Sequence, residues 1–134
     1  MSRLQISSRL EELGRADAWL RAELLPHASE PVRHDLALVL EEVLTNVIRH
    51  GYGAGAEGGI KLSADIRDGK LRLEVRDGAR PFDPFSAASP DLEADPAERP
   101  VGGLGIFLVR QLMDRLEYQR RENENVLVME KQLS

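Results

Sequence analysis

The chain has 134 residues, of which 42% are hydrophobic and 31% charged, with a net charge of −5. That length is enough for one domain with a core of its own, so residues 1–134 are expected to form a single unit. The acidic balance argues against direct nucleic-acid binding, the lack of cysteine excludes disulfides and cysteine metal sites, and no apolar run reaches the ~20 residues of a membrane span.

The first residues, MSRLQISSRLEELG, contain no signal-peptide core, and a cytoplasmic chain without membrane contact is the default expectation. Leu4 and Ile6 suggest a short edge strand. Leu10, Leu13, Trp19, Leu20 and Leu24 read as one helix from Ser8 to Leu25, stopped by Pro26. Pro31, with Ser29 upstream as a cap, opens a second helix. Its apolar positions Val32, Leu36, Val39, Leu40, Val43 and Val47 carry it to about His50. Gly51 to Gly59 is a glycine-rich break.

The period then changes from helical to alternating. Ile60, Leu62, Ala64 and Ile66 form one strand and Leu71, Leu73 and Val75 a second, with Asp68-Gly69 as the tight turn between them. Arg80 to Val101 contains five prolines and no sustained periodicity, and a loop of that length in a small domain reads as a lid or binding loop. Gly103 to Leu116 is helical. Leu116 to Arg120 and Asn125 to Leu133 read as a final hairpin around Glu122-Asn123-Glu124. Helices first, then strands, one more helix and more strands give an α+β class: a two-layer α/β sandwich with helices on one face of a mainly antiparallel sheet.

Three groups of residues bear on chemistry. Glu42 and Asn46 stand four apart, one turn from each other on one helix face. A carboxamide oxygen is a hard ligand suited to Mg²⁺, which keeps several waters and takes substrate phosphates. A carboxylate beside it can orient or deprotonate a nucleophile attacking a γ-phosphate. Taken alone, the spacing is more often that of a solvated helix face. Asp77 follows a strand, where a carboxylate can accept a hydrogen bond from an exocyclic amine such as that of adenine; alone, Asp-Gly is more often a plain turn. Gly103 and Gly105 open a helix, where backbone N–H groups and the helix dipole can approach phosphates. A simple loop-to-helix turn would look the same. The three histidines show no ligand spacing and are read as solvated or capping residues.

The three groups occur in one order with coherent spacing, and in combination the chain resembles the GHKL ATPase superfamily, most closely the anti-sigma-factor serine/threonine kinases of the RsbW type. Glu41 to Tyr52 (EEVLTNVIRHGY) is similar to that family's N-box. Asp77 to Pro84 (DGARPFDP) is similar to its adenine-contacting box, and Gly102 to Tyr118 (GGLGIFLVRQLMDRLEY) to its second glycine box. The resemblance implies a Bergerat ATP-binding fold. It implies Glu42 as the general base and Asn46 as the Mg²⁺ ligand. Asp77 would hold the adenine amine, with Ala79 and Phe82 in the same box. Gly103, Leu104 and Gly105 would line the phosphates beneath a lid from Arg80 to Val101. ATP and Mg²⁺ are the implied cofactors. The implied partners are a small antagonist protein as phosphorylation substrate and a sigma factor as a second candidate, with a homodimer as a candidate assembly. Two positions depart from the family pattern. Ala79 stands where Gly is usual, with Gly78 one place early, and a positive φ there would be costly for Ala. Val101 stands where an extra Gly is common. The rival readings are a non-catalytic ATP/ADP-binding module that sequesters a partner, and the catalytic part of a histidine kinase. The chain shows no evident helical hairpin with a phospho-acceptor His for the latter.

Overall fold

The computed structural model describes residues 1–53, 57–86 and 103–133. Among the described residues, five strands form one antiparallel sheet: β1 (Ser2–Ser7), β2 (Gly59–Arg67), β3 (Lys70–Asp77), β4 (Arg115–Arg121) and β5 (Glu124–Gln132), in the spatial order β1-β2-β3-β5-β4. Three helices, α1 (Leu13–Leu24), α2 (Glu30–Asn46) and α3 (Gly103–Leu112), pack together with α2 in the middle. This is the expected two-layer α+β sandwich.

Its cause is visible in the strand patterns. Ile60, Leu62 and Ala64 on β2, Leu71, Leu73 and Val75 on β3, and Leu127 and Met129 on β5 bury one face, and the helices contribute Leu20, Leu24, Leu36, Leu40, Val43, Leu44, Ile106 and Val109 to the same core. A buried Leu or Val of this kind is worth about 1.5–3 kcal/mol relative to exposure. The opposite sheet face carries charge. Arg76 reaches Glu74 at 2.6 Å and Glu124 at 3.9 Å beside Val126. Such pairs contribute only ~0–1 kcal/mol, so the helical face carries the stability.

The hairpin expected at Asp68-Gly69 forms, with φ of 53° and 74° at these two residues. Positive φ at both central positions is the twist-matching turn that this dipeptide favours. The final hairpin turns with Glu122 at φ 54°. β1 is the expected edge strand, pairing with β2 from Ser2↔Ala64 to Ser7↔Gly59.

Several boundaries differ from expectation. The first helix starts at Leu13 rather than Ser8, because Ser8 is tied to the sheet: its N–H donates to Gly58 O at 2.9 Å and its Oγ accepts from Gly58 N at 3.0 Å. A single 3₁₀ turn, Leu10–Glu12, makes the transition. Ser29 occupies the cap position of α2 with extended backbone, but its side chain makes no capping bond. α2 continues as π-type turns from Val47 to Tyr52, so the break begins at Gly53 (φ 83°) instead of Gly51. α3 ends at Leu112, four residues short of Leu116, because Leu116 pairs with Met129 in β4 and Asp114 N donates to Glu130 O at 2.9 Å. Asp77 is the last residue of β3 rather than the residue after it. Of the expected lid, residues 87–101 lie outside the described residues, as does the Val101 departure; Pro84–Ser86 form a short 3₁₀ turn.

Candidate functional site

α2 places Glu42 and Asn46 on the side that meets α3. Gly105 is in the first turn of α3, and a Cβ added there would fall on Glu42 Oε2 and stand 3.0 Å from its Cδ. Glycine at 105 is therefore what lets the carboxylate lie against the start of that helix. The carboxyl is partly buried, and desolvation, helped by the neighbouring Glu41 charge, raises its pKa above the ordinary carboxylate value. One turn on, Asn46 is 5% exposed. Its Nδ2 donates to Glu42 O at 2.8 Å, which sets the direction of the amide. Oδ1 is the one fully buried side-chain polar atom among the described residues without a hydrogen-bond partner. A buried, unsatisfied acceptor costs ~1–3 kcal/mol, so its retention calls for a ligand or a water.

The second half of the site is at the end of β3. Asp77 is 2% exposed. Its Oδ1 accepts from Ala79 N at 3.0 Å and from Asn125 Nδ2 at 2.9 Å, while Oδ2 takes no hydrogen bond among the described residues. Burial raises the Asp77 pKa, and the bonds from Asn125 and Ala79 together with the Arg120 charge oppose that rise.

α2 is joined to this half by its terminal turns. Arg80 Nη2 and Nε donate to His50 O at 2.8 and 3.1 Å. The His50 and Phe82 rings stand 6.3 Å apart. Gly51 leaves room for Ala79, whose Cβ would be 3.3 Å from a Cβ at position 51. Tyr52 Oη donates to Gly59 O at 2.8 Å and accepts from Gly78 N at 2.9 Å. Gly58 is needed beneath that ring, since a Cβ there would lie 2.6 Å from Tyr52 Oη. The Ala79 departure carries no backbone strain: the only described non-glycine residues with positive φ are Asp68 and Glu122. Ala79 is buried and its N–H is used by Asp77.

Of the residues selected from the sequence, Glu42 and Gly105 are in direct apposition, Asn46 is one turn away, and Asp77, Ala79 and Phe82 lie around one hydrogen-bond hub. Gly103 and Leu104 begin α3, and their side chains lie outside the described residues. The hub residue, Asn125, was missed. It pairs with Asp77 across β3/β5 and with Arg120 across β4/β5. An Asn in a central strand, where its β-propensity is poor, was the available signal.

This arrangement defines a class. The family described as histidine kinase-like ATPase domain matches residues 6–131, and the chain belongs to it. Within the family the likeness runs to protein kinases of the RsbW type. The chain is 30% identical over 120 residues to the serine/threonine-protein kinase BtrW of Bordetella bronchiseptica, covering 90% of this chain and 78% of that one. It is 32% identical over 102 residues to the serine-protein kinase RsbW of Halalkalibacterium halodurans, covering 72% of this chain and 60% of that one. It is 28% identical over 128 residues to the anti-sigma F factor of Geobacillus stearothermophilus, covering 93% and 86%. Among solved structures, the one containing the RsbU and RsbW domains of Rv1364c from Mycobacterium tuberculosis superposes with a TM-score of 0.64 at 16% identity, covering 99% of this chain and 33% of that one. The histidine kinase domain of the Erythrobacter litoralis blue-light-activated kinase EL346 gives 0.57 at 20% identity, covering 92% and 60%. These two structures bear on the fold.

Proposed function

We propose that the chain is an ATP-dependent serine/threonine protein kinase of the RsbW kind, which phosphorylates a small antagonist protein in a partner-switching pathway. The observation that carries the reading is Asn46 Oδ1, a buried oxygen without a partner, one turn from a carboxylate of raised pKa. A hard oxygen ligand for Mg²⁺ beside a carboxylate that can take a hydroxyl proton is a pairing that phosphoryl transfer can use.

Asn46 Oδ1 would hold Mg²⁺. Among the described residues there is no cluster of three His, Asp, Glu or Cys side chains to cage a metal. That suits an ion carried in with the nucleotide and held mainly by phosphate oxygens and water. Bound there, Mg²⁺ would neutralise charge on the transferring phosphoryl group. Glu42 accepts the proton of the attacking serine or threonine hydroxyl; its raised pKa brings it nearer the optimum for a general base at neutral pH. Asp77 Oδ2 accepts the exocyclic amine of adenine, with Ala79 and Phe82 at the base. The N–H groups of Gly103, Leu104 and Gly105 face the phosphates at the positive end of the α3 dipole. Catalysis here is positioning and charge, with no covalent enzyme intermediate.

The partners belong to the same proposal: the antagonist as substrate, a sigma factor as a sequestered partner, and a homodimer as the assembly. So does a cytoplasmic location; no helix among the described residues is long and apolar enough to cross a membrane. The test is transfer of labelled γ-phosphate from ATP to a cognate antagonist. Incorporation on a serine or threonine, lost in Glu42→Gln, supports the reading. Tight ATP binding without transfer to any cognate antagonist would favour the sequestering module instead.

A further inference from the structure

We infer that Asn125 is a specificity-determining positioning residue, which holds Asp77 as a hydrogen-bond acceptor and thereby makes the site select adenine over guanine. This rests on the proposed nucleotide reading and extends it to a residue outside all three sequence boxes.

The sheet register brings the juxtaposition about. On the inward rows, Leu73 and Val75 of β3, Met129 and Leu127 of β5, and Leu116 and Tyr118 of β4 lead to one polar level, where Asp77, Asn125 and Arg120 stand side by side. Asn125 is 2% exposed, and both ends of its amide are engaged. Nδ2 donates to Asp77 Oδ1 at 2.9 Å and to Arg80 O at 2.8 Å. Oδ1 accepts from Tyr118 Oη at 2.6 Å, Phe82 N at 3.2 Å and Arg120 Nη1 at 3.2 Å. Those acceptor contacts fix which end of the amide faces Asp77: with Tyr118 able to donate and Arg120 only able to donate, the NH₂ must point to the carboxylate.

The chemical consequence concerns the proton on Asp77. A buried carboxyl tends to protonate, and burial does push this one upward. Protonated, it becomes a donor that could pair with the C6 carbonyl of guanine. Ionised, it only accepts, and it takes the C6 amine of adenine and repels the carbonyl. A donor held on Oδ1 favours the ionised form and leaves Oδ2 to face the base. The same amide anchors Arg80 O and Phe82 N, so the segment that follows Asp77 is held by the residue that sets its charge.

The experiment is calorimetry of ADP and GDP on wild type, Asn125→Leu and Asn125→Thr, with melting temperatures. Leu has nearly the shape of Asn and no donor; Thr keeps a hydroxyl donor. Wild type should prefer ADP. Asn125→Leu should lose about ten- to a hundredfold in ADP affinity while GDP affinity holds or rises, so that the ratio collapses. Asn125→Thr should melt lower yet retain most of the ratio. In kinase assays Asn125→Leu should raise KM for ATP with kcat largely kept. Should Asn125→Leu not fold, Asn125→Ala, which leaves room for water, carries the same expectation. An unchanged ADP/GDP ratio in a folded variant that merely melts lower would overturn the inference and leave the nucleotide reading standing. Wild type that binds neither nucleotide would overturn both.

Discussion

The two halves of the site are built on opposite principles. At the end of β3, Asp77 Oδ1, both ends of the Asn125 amide, Arg80 O and Phe82 N are all engaged in hydrogen bonds. At the α2–α3 junction, Asn46 Oδ1 has no partner among the described residues and Glu42 rests on a glycine with its pKa raised by desolvation. The first half is wired before any ligand arrives, which suits recognition of a rigid base. The second holds unmet polar demand, which a phosphate-bound cation and a substrate hydroxyl would meet. A satisfied network costs little to keep, whereas a buried unsatisfied group calls for a ligand or a water.

The largest effect should come from breaking the second half. Glu42→Gln should lower phosphate transfer by ~10²–10⁴, the usual range for a positioned general base, with ATP affinity nearly kept. Gly105→Ala should reproduce part of that loss by pushing the Glu42 carboxylate off α3. Labelled transfer to the antagonist, beside ATP calorimetry, separates loss of chemistry from loss of binding. Full activity in Glu42→Gln would remove its role as base.

Next comes the wired half. Asp77→Asn should weaken ADP by ~1.5–3 kcal/mol, the worth of a hydrogen bond to a charged group. The fold should survive, because the Asn oxygen can still accept from Ala79 N and Asn125 Nδ2. The pH dependence of stability supplies a second readout. The folded-state pKa of Asp77 is raised, so the native state holds its proton longer than the unfolded chain. Its contribution to stability is therefore present below the unfolded value and lost as pH rises through the folded one. Asp77→Asn should remove that decline, and melting curves across the acid range would show it. A steeper decline in the variant would contradict the assignment of burial as the dominant cause.

A smaller effect is expected at Asn46. Asn46→Ala should abolish the Mg²⁺-dependent part of ATP affinity while leaving the nucleotide-free chain within ~1 kcal/mol of wild type, since the variant also deletes an orphaned acceptor. ATP titration with and without Mg²⁺ reads this directly, and an undiminished Mg²⁺ effect would move the metal elsewhere. The smallest effect concerns Glu41. Transfer should fail as pH drops through the Glu42 pKa, which desolvation raises above the ordinary carboxylate value. Removing the Glu41 charge, the secondary cause of that rise, should move this acid limb slightly toward lower pH in Glu41→Gln. A limb that moves upward would show that Glu42 is not the group titrating.

Much of this was legible in the chain alone because it depends on local rules. Alternation from Ile60 to Val75 and the Asp68-Gly69 turn determine a hairpin without reference to anything distant, and the spacing of Glu42 and Asn46 puts them on one face of any helix that forms there. What remained illegible was decided between elements. Leu116 has a helical neighbourhood but is taken by Met129 across the sheet, and Ser8 by Gly58, so α3 ends early and α1 starts late. Gly105 reads as a phosphate-loop glycine, yet its Cβ is also excluded by Glu42, 63 residues earlier in the chain. Asn125 carries no local sign beyond being a poor strand former. It becomes the hub only when strand order β3-β5-β4 sets it between Asp77 and Arg120. Periodicity is a property of neighbours in sequence, while hydrogen-bond saturation and close approach belong to neighbours in space, and the second emerges only when the sheet register is set.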